Sequence, residues 1–240
     1  AGRTSAGARA VSSHTGSLAG SYAAYQAAFR QAGVIEVNTI AELFDVAMTL
    51  DFQPLPAGKR AVILTNAGGP AALASDSLSS HGIRLEDLQE ETSRFLREHL
   101  TPAAQVSNPV DMLGGAEAKD YGMAVKQLVN DKNVDIIIPI LVPQALVDPA
   151  EIAQAIVDAA SGSDRPVFTC IMGDISVDEA RIVLQCNRMP MFVYPESMGV
   201  VLNAMLDYAA WRQKPVVKIA PLSGVDRDAA EREFRASGDK

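Results

Sequence analysis

Cysteine, aromatic side chains and long apolar runs are all scarce in this sequence, and each scarcity removes a class of answer. Two cysteines in 240 residues, Cys170 and Cys186, cannot build a disulfide framework. Neither belongs to a CxxC pair or a His/Cys cluster, so the pattern offers no metal site, and a reducing cytoplasm is the expected compartment. No apolar run approaches the ~20 residues that a membrane-spanning helix needs, and the amino terminus carries no apolar signal core. Basic residues number 21 against 29 acidic ones, a formal charge of −8, which argues against a nucleic-acid partner because phosphate backbones demand clustered Lys and Arg. Aromatics make up only 5% while apolar residues reach 48%, so the core is built from Ala, Val, Ile and Leu. Small aliphatic packing of this kind suits helices laid on a parallel sheet.

What is present is organised in two parts. Residues 1–14 are small and polar, without apolar periodicity, and read as a loop. Ser17 can cap a helix over residues 18–32, closed by Gly33, and residues 34–37 read as a short strand. Thr39 caps a second helix, with Glu42 completing a capping box and Ile40, Leu43, Phe44, Ala47 and Leu50 forming one apolar stripe. A Pro- and Gly-containing linker follows at residues 53–59. Beyond it, short Val/Ile-rich runs alternate with longer amphipathic ones, the signature of repeated βαβ units. Strands are expected at residues 60–65, 83–85, 135–141, 166–171 and 191–193, with helices at 70–81, 90–100, 118–131, 149–161, 177–187 and 196–212. The fold class is therefore α/β: a flavodoxin-like, doubly wound, parallel five-stranded sheet over residues 60–215. Residues 1–52 read as the C-terminal part of a second flavodoxin-like domain whose other strands lie upstream. Residues 216–240, with a helix near 226–235, read as a linker. The chain, which begins without a methionine, is expected to be a fragment.

In an open parallel sheet, ligands gather beyond the carboxyl ends of the strands. The loop after the first strand, Asn66-Ala67-Gly68-Gly69-Pro70, opens a helix with free N–H groups and no acidic side chain, the makings of a phosphate site. The rival reading is a strand-to-helix turn that merely needs glycine. A second candidate is Ser13-His14-Thr15-Gly16-Ser17, in which a histidine stands just before a helix start. A neutral imidazole can attack phosphorus, and the product would be steadied by the N–H groups of Gly16 and Ser17. The plain alternative is a solvated loop histidine. Asn108 and Asp111, in Asn108-Pro109-Val110-Asp111, form either a tight turn or a ligand loop. Residues 143–144 and 173–174 lie on the functional edge by topology, while His81 and His99 sit at helix ends and read as structural, as do both cysteines.

The strings Ala1-Gly2-Arg3-Thr4, Ser13-His14-Thr15-Gly16-Ser17-Leu18-Ala19-Gly20 and Ala28-Phe29-Arg30-Gln31-Ala32-Gly33-Val34 resemble the phosphohistidine segment of ADP-forming acetyl-CoA synthetases. The likeness continues through Thr65-Asn66-Ala67-Gly68-Gly69-Pro70 and Ser107-Asn108-Pro109-Val110-Asp111. Succinyl-CoA synthetase is a more distant relative. The resemblance implies an NDP-forming acid–CoA ligase in which His14 is transiently phosphorylated between two helix N-termini, one at Gly16-Ser17 and one at Gly68-Gly69. It implies CoA, a carboxylic acid and ATP or GTP with Mg²⁺ as reactants of the parent enzyme, none of them held by this fragment alone, which by itself is expected to be inactive. The CoA-binding and ATP-grasp domains are expected in cis or in partner subunits, and completion of the first domain by another copy leaves a homo-oligomer open. Two rival readings remain: the synthetase-like regulatory region of a protein lysine acetyltransferase, and a plain flavodoxin-like binding module.

Overall fold

A computed structural model of the chain describes residues 4, 6, 7, 9, 22–145, 147–215 and 226–237. His14, Gly16 and Ser17 lie outside the described residues. The elements in chain order are α1 (Tyr22–Ala32), α2 (Ile40–Phe52), β1 (Arg60–Thr65), α3 (Gly68–Ser80), β2 (Arg84–Leu85), α4 (Glu90–His99), β3 (Val110–Asp111) and α5 (Ala118–Leu128). There follow β4 (Ile136–Leu141), α6 (Pro149–Ala160), β5 (Thr169–Ile171), α7 (Asp178–Cys186), β6 (Met191–Phe192), α8 (Ser197–Arg212) and α9 (Arg227–Ser237).

The strands are parallel and run in the order β2-β1-β4-β5-β6, with β3 also paired to β1. The sheet thus has six strands rather than the expected five. The extra strand is Val110–Asp111, two residues that pair with Leu64 and Thr65 while β2 pairs with Arg60 and Ala61. Because β4 occupies one edge of β1 along its length, β2 and β3 share the other edge end to end. The gap between them is filled by a side chain. Asn108 Oδ1 accepts from the Ile63 N–H at 3.1 Å, and its Nδ2 donates to the carbonyls of Ala61 and Glu86 at 2.8 and 2.9 Å. An amide side chain carries the donor and acceptor of a peptide unit, so it can stand in for a missing strand residue.

Alternate residues of each strand face opposite layers. Val62, Leu64, Ile137, Leu141 and Val167 pack under helices α4 to α7, while Ala61, Ile63, Ile136, Ile138, Ile140, Phe168 and Cys170 pack under α2, α3 and α8. Every residue of β4 is buried, as expected for a central parallel strand covered on both faces. Burial pushes the Cys170 thiol up to about 12, with Glu196 adding to the rise, so it stays a protonated core group.

Helix α2 begins as its sequence dictates: Thr39 accepts from the Glu42 N–H at 3.1 Å, and the Glu42 carboxylate accepts from the Asn38 N–H at 2.6 Å. Its docking face differs from the expected stripe. Val46 and Thr49 are buried against the α8 layer, whereas Ile40, Leu43 and Phe44 are exposed. The helix carries two apolar faces, and periodicity alone could not say which one meets the sheet. Residues 34–37, expected as a strand, form no strand among the described residues.

The carboxyl end of α2 is tied to the lower rim of the sheet. Gln53 accepts from the Val167 N–H at 2.8 Å and donates to the Arg188 carbonyl at 2.9 Å. The Arg188 guanidinium in turn meets the Asp51 carboxylate at 3.2 Å and lies 5.1 Å from the centre of the Phe52 ring. On the same rim, Arg60 forms a two-pronged pair with Asp135, at 2.9 and 2.6 Å. No described helix is long and apolar enough to cross a membrane.

Candidate functional site

The strand order reverses between β1 and β4, so a crevice is expected above their carboxyl ends. The direct ladder between them ends at the pair Thr65 and Ile140. Beyond that point side chains take over. Asn66 Nδ2 donates to the Val142 carbonyl at 2.8 Å and its Oδ1 accepts from the Val142 N–H at 2.9 Å. From below, the Tyr121 hydroxyl donates to the Ile140 carbonyl at 2.8 Å. Tyr121 is fully buried, and burial raises its phenol above the ordinary range; the negative charge of Asp111 adds to the rise and the Asn66 N–H opposes it.

The turn into α3 is fixed by Thr65, whose hydroxyl accepts from the Ala67 N–H and donates to the Ala67 carbonyl, both at 3.0 Å. Helix α3 then opens with Gly68 and Gly69. It has no side-chain cap and no acidic residue in its first turn. Among the described residues, the N–H groups of Gly68 and Gly69 donate to no protein acceptor, and both glycines are exposed. Unpaired N–H groups at the positive end of a thirteen-residue helix favour an anion.

The fold itself does not ask for these glycines. Neither has a left-handed backbone, a Cβ on Gly69 would meet nothing within 4 Å, and one on Gly68 would meet only Asp111 Oδ2 at 3.5 Å, an ordinary contact. Alanine would fit at both and would favour the helix by up to about 1 kcal/mol. What glycine keeps open here is the space in front of the helix, not a turn conformation.

Asp111, at the end of β3, overlooks this opening. Its Oδ1 accepts from the Leu113 N–H at 2.9 Å, and Leu113 takes a left-handed backbone with φ of 68°. Gly114 follows, with the Gln144 side chain 3.8 Å from where its Cβ would stand. The loops after β1, β3 and β4 therefore meet around one mouth.

Of the residues singled out in the sequence, Gly68, Gly69 and Asp111 come together at this mouth. Ala67 lies just beneath, its N–H already used. Asn66 and Asn108 are at hand but committed: the amide of the first bridges two strand ends, and that of the second fills the sheet. Tyr121, Thr65 and Val142 are the supports that sequence reasoning missed, and Tyr121 had no signal beyond an apolar position on a helix. His81 and His99 are helix-end groups, their Nδ1–H donating to the carbonyls of Ser77 at 2.7 Å and Phe95 at 2.8 Å. Among the described residues no group of three or more His, Cys, Asp and Glu could hold a metal ion.

Residues 1–50 match the succinyl-CoA ligase like flavodoxin domain, and residues 61–214 match the Ligase-CoA domain. The chain is similar to the alpha subunit of acetate–CoA ligase [ADP-forming] II of Pyrococcus furiosus, 40% identical over 213 residues, which is 87% of this chain and 46% of that protein. It is likewise 40% identical over 231 residues to acetate–CoA ligase [ADP-forming] I of Archaeoglobus fulgidus, covering 96% of this chain and 33% of that one. Among solved structures it superposes with a TM-score of 0.82 and 34% identity on the dinucleotide forming acetyl-coenzyme A synthetase 1 of Ca. Korarchaeum cryptofilum in complex with phosphate and ADP, over 88% of this chain and 46% of that chain. The chain spans between a third and a half of the length of these relatives.

Proposed function

The chain belongs to the Ligase-CoA domain family of NDP-forming acyl-CoA ligases, and on that premise we propose that it is the phosphoryl-handling part of an enzyme that joins a carboxylic acid to CoA using ATP or GTP. In this reading His14 takes a phosphoryl group from the nucleotide as a neutral imidazole, the new P–N bond forming as the bond to the departing nucleoside diphosphate breaks. A substrate carboxylate oxygen then displaces the imidazole from phosphorus, giving an acyl phosphate. The CoA thiol, giving up its proton, attacks the acyl carbon and expels inorganic phosphate. Every step is reversible.

The residues of this chain bind and orient the phosphoryl group. The N–H groups of Gly68 and Gly69, at the positive end of α3, donate to its oxygens. Gly16 and Ser17 are assigned the same task from the side of His14. Asn66 and Tyr121 hold the β1 and β4 ends so that the mouth keeps its shape. CoA and nucleotide sites are assigned to further domains, in cis or in partner subunits, in keeping with the word subunit in the name of the Pyrococcus furiosus relative. Mg²⁺ is assigned to the nucleotide.

The observation that carries the reading is the pair of glycines that the fold does not need, set on a helix start whose N–H groups are free and exposed. A turn that merely required glycine would show a left-handed backbone or a crowded Cβ at those positions, and it shows neither. The relatives matched are named as ligases, and no observation favours the acetyltransferase reading.

The test is phosphorylation of the full-length protein with γ-labelled ATP and Mg²⁺. The expected product is a protein-bound label that is lost in acid, stable in base, and absent in His14→Ala. A label retained in that variant would overturn the role of His14.

A further inference from the structure

Asp111 places a carboxylate at the one spot where the proposed phosphate site would least welcome it. Its Oδ2 stands 3.5 Å from the position of a Cβ on Gly68, beside the positive end of α3. It is not a helix cap. Neither Gly68 nor Gly69 donates an N–H to it, and the one hydrogen bond of its carboxylate among the described residues goes from the Leu113 N–H to the other oxygen, Oδ1. No described cation neutralises it, and the salt bridges of the described residues do not include it. A negative group in that place gains from the helix end without occupying its N–H groups, and it repels any anion that does occupy them.

We propose that Asp111 sets the residence of the phosphoryl group: its charge opposes phosphate at the Gly68 and Gly69 N–H groups, so that the site steadies a phosphoryl in transit without retaining it. This deepens, and rests on, the reading of the α3 start as the phosphoryl site. The logic is that of any relay. A site that must receive a group and pass it on gains nothing from binding it tightly, because affinity for the resting group adds to the barrier of the next step. A helix end with nothing to counter it would hold a dianion too well, and a fixed carboxylate at the mouth corrects this at no cost in geometry. The field of Asp111 reaches its neighbours, since it helps to raise the Tyr121 phenol on the far side of the turn. Its position is built in, because the turn at Leu113 holds Oδ1 and leaves Oδ2 facing the helix start.

The substitution that tests this is Asp111→Asn, which keeps an oxygen to accept from Leu113 and removes only the charge. In the ¹⁵N-labelled chain, the Gly68 and Gly69 amide signals are followed while inorganic phosphate is added. The expected result is a phosphate dissociation constant roughly three- to tenfold lower than in the unsubstituted chain, from removal of one unit charge near the anion. Asp111→Glu, which keeps the charge, should stay within about twofold of the unsubstituted chain. In the full-length protein, Asp111→Asn should load His14 with label at an undiminished rate and release it to the acceptor more slowly, a gain of binding with a loss of turnover that a merely structural defect would not produce. Equal phosphate affinity in the unsubstituted and Asp111→Asn chains, with both glycine amides responding, would overturn the role of Asp111 and leave the site standing. No response of either amide in either chain would overturn the site, and this inference with it.

Discussion

At the residue scale, several side chains do the work of backbone, and this is why their roles were hard to read in advance. By sequence Asn66 reads as a ligand-loop residue and Asn108 as part of either a tight turn or a ligand loop, because Asn near Gly or Pro at a strand end is common to turns and to binding sites alike. Their amides instead continue or patch the β1 ladder, a use that depends on which strands become neighbours and so is invisible to local pattern. The sequence at 68 and 69 reads either as an anion site or as a turn that needs glycine, and weighing ligand space against turn geometry takes their backbone angles and the empty space around them. A different residue pair sets the response to acid. The two-pronged bond from Arg60 holds the Asp135 carboxyl below its ordinary value of 3.8, despite the opposing effect of partial burial. A carboxyl depressed in the folded state contributes stability that is present in full above that value and is lost as the pH falls below it. The pair is worth roughly 1–2 kcal/mol at neutral pH. Urea unfolding of Asp135→Asn should therefore show lower stability at pH 7 and a shallower loss below about pH 4 than the unsubstituted chain; parallel acid limbs in the two proteins would show that this pair does not govern the acid response.

At the element scale, the central strands were legible because their residues carry the information. β4 is an Ile/Leu run broken only by Pro139 and β1 carries Ala61-Val62-Ile63-Leu64 between Arg60 and Thr65, and this composition leaves little choice once both faces are to be buried. β3 was not legible, because two residues carry no periodicity and the strand exists only by its pairing to β1. The docking of α2 was half legible: its cap was written in Thr39 and Glu42, its orientation was not. Helix α3, which presents the candidate site, is held from behind by α8 at a close crossing. A Cβ on Gly199 would stand 2.4 Å from Ser77 Oγ, 2.6 Å from the Ser77 carbonyl oxygen and 2.7 Å from His81 Nδ1. Ser77 in turn donates to the Glu196 carbonyl at 2.6 Å. Gly199→Ala should push the two helices apart and cost about 1–3 kcal/mol in chemical denaturation, as overpacking of a tight contact does. A stability within about 0.5 kcal/mol of the unsubstituted chain would mean that α3 is not seated by this crossing.

At the scale of the whole molecule, a six-stranded parallel sheet brings three loops to one mouth above the β1 and β4 ends, and the family match extends over residues 61–214 around it. The sheet supplies the rigid floor, α3 the positive end, Asp111 the opposing charge, and His14 is the group proposed to carry the phosphoryl to them. On this proposed division the site needs no buried catalytic cluster of its own among the described residues, because its task is positioning and electrostatics and the proposed nucleophile comes from another segment. The most direct measurement is His14 phosphorylation in the full-length protein bearing Gly69→Ala, set beside its thermal midpoint. The account predicts that label uptake falls roughly tenfold or more, because a methyl group then occupies the phosphoryl's approach, while the midpoint stays level or rises, as alanine suits the helix better. Uptake at the unsubstituted rate in a folded Gly69→Ala protein would contradict it.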